Sequence, residues 1–154
     1  MRISVYSDMD APVARALIAE LEQRGHEVAA YGALRPGDDP QWAACSAAAA
    51  REVAAGRADQ AVVCCWTGTG ASIAANKVPG VRAALCTDAY TADGARRWND
   101  ANVLALSLRL TSEPLLKEIL DAWFAGAAGD EADDRENLAR VARLDRARTP
   151  AQAP

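Results

Sequence analysis

The chain has 154 residues, a formal net charge of −4, and 51% apolar residues, much of that share alanine. This length suits one compact domain, which buries roughly 70% of the surface its unfolded chain exposes and so needs no disulfide or metal to fold. The acidic balance and the lack of a basic block argue against a nucleic-acid surface, and no apolar run reaches membrane length.

Short β-rich runs alternate with longer helical patterns along the chain. Residues 2–6 read as a strand. The opening MRISVYSD is no signal peptide, because Asp8 interrupts its apolar run, and a cytoplasmic address follows. Residues 11–24 read as a helix with Ala14, Leu17, Ile18 and Leu21 on one face, ended by Gly25. Residues 27–31 resume as a strand, 40–55 as an alanine-rich helix that stops at Gly56, and 61–65 as a short apolar strand. A helix over 70–77 is halted by the Pro79-Gly80 turn. A fourth strand at 82–86, a helix at 91–98, a fifth strand at 103–106 and a helix at 113–124 follow, with Pro114 in the first turn of the last. Such alternation implies a parallel sheet covered on both faces.

Residues 126–134 form a small acidic linker, and 135–146 a helix with Leu138, Val141 and Ala142 on one side. That stripe is too narrow to fold alone, so the helix is expected to dock within the subunit or on a partner. The remaining tail, 149–154, is expected to be disordered.

The four cysteines are Cys45, Cys64, Cys65 and Cys86. There is no CxxC pair and no Cys/His cluster, so neither a metal site nor any other cofactor is expected. Cys64 and Cys65 point to opposite faces of their strand, which disfavours a bond between them. His26, at a helix-to-strand turn, reads as structural, and Trp42 and Trp123 read as packing or interface residues.

In open parallel sheets ligands bind beyond the carboxyl ends of the strands. The strongest segment there is Cys65-Trp66-Thr67-Gly68-Thr69-Gly70-Ala71-Ser72. A strand runs into glycines and then a helix start, so successive amides can face an oxyanion or phosphate. The run lacks the lysine-serine ending of a Walker loop, and Ile73 stands where a dinucleotide fingerprint needs glycine. Cys65, at the mouth of the loop near a helix start, is placed to act as base or nucleophile; its plain alternative is a small buried hydrophobe.

The stretch CCWTGTGASIAANKVPGVRAALC resembles the ribose-5-phosphate isomerase type B family, which includes galactose-6-phosphate isomerase subunits. SVYSD, RGHEV and NDANVLALSLR extend the resemblance over residues 1–125. It implies a Rossmann-like three-layer α/β/α sandwich that forms a homodimer or homotetramer, with active sites at the subunit boundary. It also implies metal-free aldose–ketose isomerisation of a phosphosugar through an enediolate. By motif, Cys65 matches the base that moves a proton between C1 and C2, and Thr67 the hydroxyl that assists transfer between the oxygens. The amides of Gly68, Thr69, Gly70 and Ala71 match the oxyanion hole. Asp8 and Asn99 match residues that grip sugar hydroxyls, and Arg109 a phosphate-side arginine.

Several positions depart from that pattern. Met9 and Trp98 stand where the family carries histidines, the second of which opens the furanose ring, and Trp66 stands where it carries glycine. Arg135 and Arg140 are candidates for the family's C-terminal phosphate arginines, at a shifted spacing. Both tryptophans are expected beside one pocket, where they would shrink the cavity or stack on a sugar face. Because indole cannot exchange a proton with a ring oxygen as imidazole does, an open-chain tetrose phosphate suits the site. Two alternatives stand beside this reading: isomerisation or epimerisation of a non-phosphorylated sugar, and a non-catalytic sugar-phosphate-binding protein on the same scaffold.

Overall fold

A computed structural model describes residues 1–148; the expected disorder at 149–154 lies outside the described residues. The elements are β1 (Arg2–Ser7), α1 (Pro12–Gln23), β2 (Glu27–Gly32), α2 (Trp42–Ala54), β3 (Gln60–Cys65), α3 (Thr69–Ala75), β4 (Ala83–Leu85), α4 (Ala89–Asn99), β5 (Val103–Ser107), α5 (Glu113–Ala125) and α6 (Ala132–Arg148). Every expected element is present. The largest adjustments are an earlier start for α6, which shortens the linker, and an α3 that ends before Lys77.

All five strands are parallel, in the order β2-β1-β3-β5-β4. Right-handed crossovers decide which face each helix covers. The β1-to-β2 and β4-to-β5 connections run one way along the sheet, and β2-to-β3 and β3-to-β4 run the other. Accordingly α1, α4 and α5 share one face, packing Leu17, Leu21, Leu116, Ile119 and Leu120 against Ile3, Val5, Val62 and Leu104. The other face carries α2 and α3, where Ala49, Ala50, Ala71 and Ala75 lie against Val63, Val103 and Ala105. The alanines permit close approach of these two helices to the sheet, as the composition suggests.

β3 is buried at all of its positions, which follows from its central place between β1 and β5. Cys64 joins the first apolar cluster and Cys65 the second, as strand alternation requires. All four cysteines are free and buried. At the short edge strand β4, the Asn76 side chain takes the place of a neighbouring strand. Its amide donates to the Ala83 carbonyl at 2.8 Å and accepts from the Ala83 N–H at 2.9 Å. Among the described residues no helix is long and apolar enough to cross a membrane.

The sequence order reverses at β1, whose neighbours are β2 and β3. A crevice opens beyond the carboxyl ends of two strands at such a reversal. Asp8 follows one of them and Cys65 ends the other.

Candidate active site

The loop after β3 is shaped by Gly68. Its φ is +76°, and a Cβ there would lie 2.5 Å from Leu85 Cδ1 and 2.9 Å from the Leu106 carbonyl carbon. Both the backbone conformation and the close approach of β5 therefore require glycine. Gly68 is also the N-cap of α3, and no side chain caps this helix. The first-turn amides of Thr69, Gly70 and Ala71 have no carbonyl one turn earlier in α3 to bond, which leaves them for a guest.

Cys65 sits at the loop mouth, 5% exposed, with its Sγ accepting the Gly68 N–H at 3.2 Å. The sulfur thus faces the glycine loop as well as the apolar cluster around Tyr6 and Cys45. Thr67 and Thr69 are exposed, and their hydroxyls share a 2.7 Å hydrogen bond across the turn. That contact holds Thr67 Oγ1 beside the amides.

Three strand ends are tied together here. Trp66 offers its carbonyl to the Ser107 hydroxyl at 3.0 Å and to the Arg109 N–H at 3.1 Å, and the Leu108 N–H reaches the Cys65 carbonyl at 3.0 Å. The Asp8 N–H bonds the Cys64 carbonyl at 3.2 Å. Burial raises the Asp8 carboxyl above its ordinary pKa, against the opposing pull of its own N–H and that of Trp66. Asp8 Oδ1 is buried with no partner, an acceptor left open at the site. The Ser7 hydroxyl donates to the Met9 carbonyl at 2.6 Å and pins the turn from which Met9 projects into solvent. Cys45 is the near neighbour on α2; burial and the Asp8 charge push its thiol up to about 11. Burial likewise pushes Cys64 and Cys86 up, which suits core thiols.

The remaining expected residues stand elsewhere. Trp98 and Asn99 close α4, which runs back from the carboxyl ends of the strands to their amino ends. Arg82, just before β4, donates from Nε to the Asn99 carbonyl at 3.1 Å and pairs with Asp100 at 2.8 Å. Within one chain, therefore, Trp66 and Trp98 occupy opposite ends of the sheet and do not share a pocket. The connection, not the spacing, decides this. Trp98 folds back on Gly94, whose missing Cβ makes room for the indole, and meets Tyr90 edge-on at 6.0 Å.

Trp98 and Asn99 line a cavity of about 380 Å³ with Arg82, Val81, Leu138 and Val141. Val141 and Leu144 remain exposed along α6. Arg135 donates to the Asp130 carbonyl and Arg140 pairs with Glu136, so both are held on the surface of α6, away from the Cys65 loop. His26 packs its ring 4.4 Å from that of Phe124, and Trp123 donates its buried indole N–H to Gln60 Oε1 at 2.7 Å. Among the described residues no cluster of three or more His, Cys, Asp or Glu is arranged to hold a metal ion.

Trp42 packs, as read from the sequence, but beside the candidate loop. It opens α2 at the same end as the loop, and its indole lies on Gly70. Gly70 lies outside the left-handed region, so it is the indole that keeps the position bare. The GTG motif carries the glycine but cannot say what fills the space.

A sequence model of the family described as Ribose/Galactose Isomerase matches residues 3–144. Ribose-5-phosphate isomerase B of Escherichia coli is 37% identical over 134 residues, covering 86% of this chain and 87% of that protein. D-erythrulose-4-phosphate isomerase of Pectobacterium atrosepticum is 39% identical over 103 residues, 67% of this chain and 68% of its own length. The structure of Clostridium thermocellum ribose-5-phosphate isomerase B superposes with a TM-score of 0.88 at 33% identity, covering 97% of this chain and all of that one (100%). With its fold, its glycine loop and these relatives in agreement, this chain belongs to the ribose/galactose isomerase family and is an isomerase.

Proposed function

We propose that this isomerase interconverts the aldose and ketose forms of a small sugar phosphate through an enediolate. Cys65 takes the proton from C2 of the aldose and returns it to C1. Thr67 relays a proton between the two oxygens. The amides of Thr69, Gly70 and Ala71 hold the oxygen on which charge develops, a kind of contact worth about 2.7–4 kcal/mol per donor; the Gly68 N–H, expected among them, is engaged by Cys65. Asp8 accepts from a sugar hydroxyl through the oxygen that otherwise lacks a partner. The observation that carries the reading is the Cys65 sulfur held 3.2 Å from the Gly68 N–H at the mouth of an uncapped helix start.

The site is completed by a second copy. Residues 1–125 supply the catalytic loop, while the α4 end and residues 126–148 of another subunit bring Trp98, Asn99, Arg135 and Arg140 over it. Arg109, exposed beyond β5, then faces the phosphate from the first chain. A homodimer is the smallest assembly that does this.

The substrate reading favoured here is an open-chain tetrose phosphate. With phosphate on its terminal carbon, a four-carbon sugar cannot close a five-membered ring, so no residue is needed to open one. Trp98 in place of a ring-opening histidine agrees with this, as does likeness to the Pectobacterium enzyme.

Steady-state assays on tetrose, pentose and hexose phosphates test both parts. Cys65→Ser and Cys65→Ala should each lower kcat by about 100- to 10,000-fold, the range of a lost general base. Full turnover in either variant would remove Cys65 from the mechanism, and a clear preference for ribose 5-phosphate would count against the tetrose.

A further inference from the structure

We propose that the Trp42 indole is a wall of the substrate site and limits the length of sugar phosphate it admits; this rests on the isomerase reading of the Cys65 loop. The contact is specific. A Cβ on Gly70 would meet the six-membered ring at 2.9 Å from Cε3, 3.1 Å from Cδ2 and 3.2 Å from Cζ3. No side chain separates the ring from the loop backbone, so the position of the indole and that of the loop are coupled.

The backbone that carries the indole is also held in place. The Cys45 N–H bonds the Gln41 carbonyl at 2.9 Å, Cys45 Sγ approaches the Trp42 carbonyl at 3.8 Å, and the Gln41 N–H bonds Asp39 Oδ1 at 2.9 Å. Yet 44% of Trp42 is exposed, at the same end of the sheet as the loop whose Gly70 its ring touches. Trp66, within the same loop, is 52% exposed, with its carbonyl held by Ser107 and Arg109. Two exposed indoles thus border one short loop.

A substrate whose reacting carbon lies at Cys65 and whose oxygen lies on the amides has its direction set. Carbons beyond the reacting pair must then pass the indole walls. A longer sugar meets the ring of Trp42, which cannot retreat into Gly70.

The experiment compares wild type with Trp42→Ala and Trp42→Phe. The readout is the ratio of kcat/KM for the sugar phosphate one carbon longer than the preferred one to that for the preferred one. Trp42→Ala should raise this ratio about tenfold, within the range by which one methylene is discriminated in an apolar pocket. Trp42→Phe, which keeps a ring in place, should stay near wild type. An unchanged ratio in Trp42→Ala, or an equal fall on both substrates, would overturn the inference. Should Trp42→Ala not fold by circular dichroism, Trp42→Leu is read by the same ratio, with the same two outcomes. Wild-type turnover on tetrose, pentose and hexose phosphates is measured first and sets which pair is compared. No turnover on any sugar phosphate would overturn the isomerase reading and this inference together.

Discussion

Asp8 shows how a single residue can hold a cost to stability at the site. Burial raises its carboxyl pKa, so the folded chain binds that proton more tightly than the unfolded chain does. Below the ordinary carboxylate range both states are protonated and Asp8 imposes no penalty. As pH rises through that range and past the folded pKa, ionising the half-buried group costs stability. Asp8→Asn keeps the shape and an acceptor for the Trp66 N–H but carries no charge. Its Tm should exceed that of wild type at pH 7, with the gap closing as the pH falls below the carboxylate range, while activity drops. Thermal melts across pH check the first part; a lower Tm for Asp8→Asn at pH 7 would contradict it. Gly68 and Gly70 carry the same lesson from the other side. One is demanded by its own φ and by β5, the other by a ring from a different helix.

Between elements, the contact of α5 with the sheet combines burial with one polar bond. Trp123 is 1% exposed, and its indole N–H would be unpartnered without Gln60. Gln60→Ala should destabilise the fold by about 1–3 kcal/mol, the cost of an orphaned buried donor, with a matching fall in the denaturant midpoint. A loss close to zero would mean that water reaches the indole. At the other edge of the sheet, Asn76 closes β4 by paired bonds to Ala83, which leaves that short strand without a free template for another chain. Asp88 caps α4 through a reciprocal pair with Thr91, and Ser112 caps α5. These local signals explain why the starts of both helices were readable within a few residues.

For the whole molecule, the α6 face carries the proposed assembly. Leu144, 65% exposed, and Val141 flank the cavity that Trp98 also lines. On the homodimer proposed above, Leu144→Glu should yield a folded monomer and lower kcat sharply, since the Cys65 loop would lose the partner's Asn99 end. Light scattering with circular dichroism and activity on the same samples checks this. Full activity in a monomer would refute the composite site.

The periodicity of Ala14, Leu17 and Leu21, the apolar run before Cys65 and the turn residues between elements determined by themselves a parallel α/β sheet and the loop at its carboxyl end. Those signals are local: a side chain's spacing decides which face of its own element it joins. Only the tertiary structure decided that Trp98 and Asn99 lie at the far end from Cys65, because that depends on where α4 returns across the sheet. It alone seated Trp42 on Gly70, residues from two helices whose starts are separated by a whole strand. Contacts of that kind arise from packing between elements, and no pattern within one element encodes them.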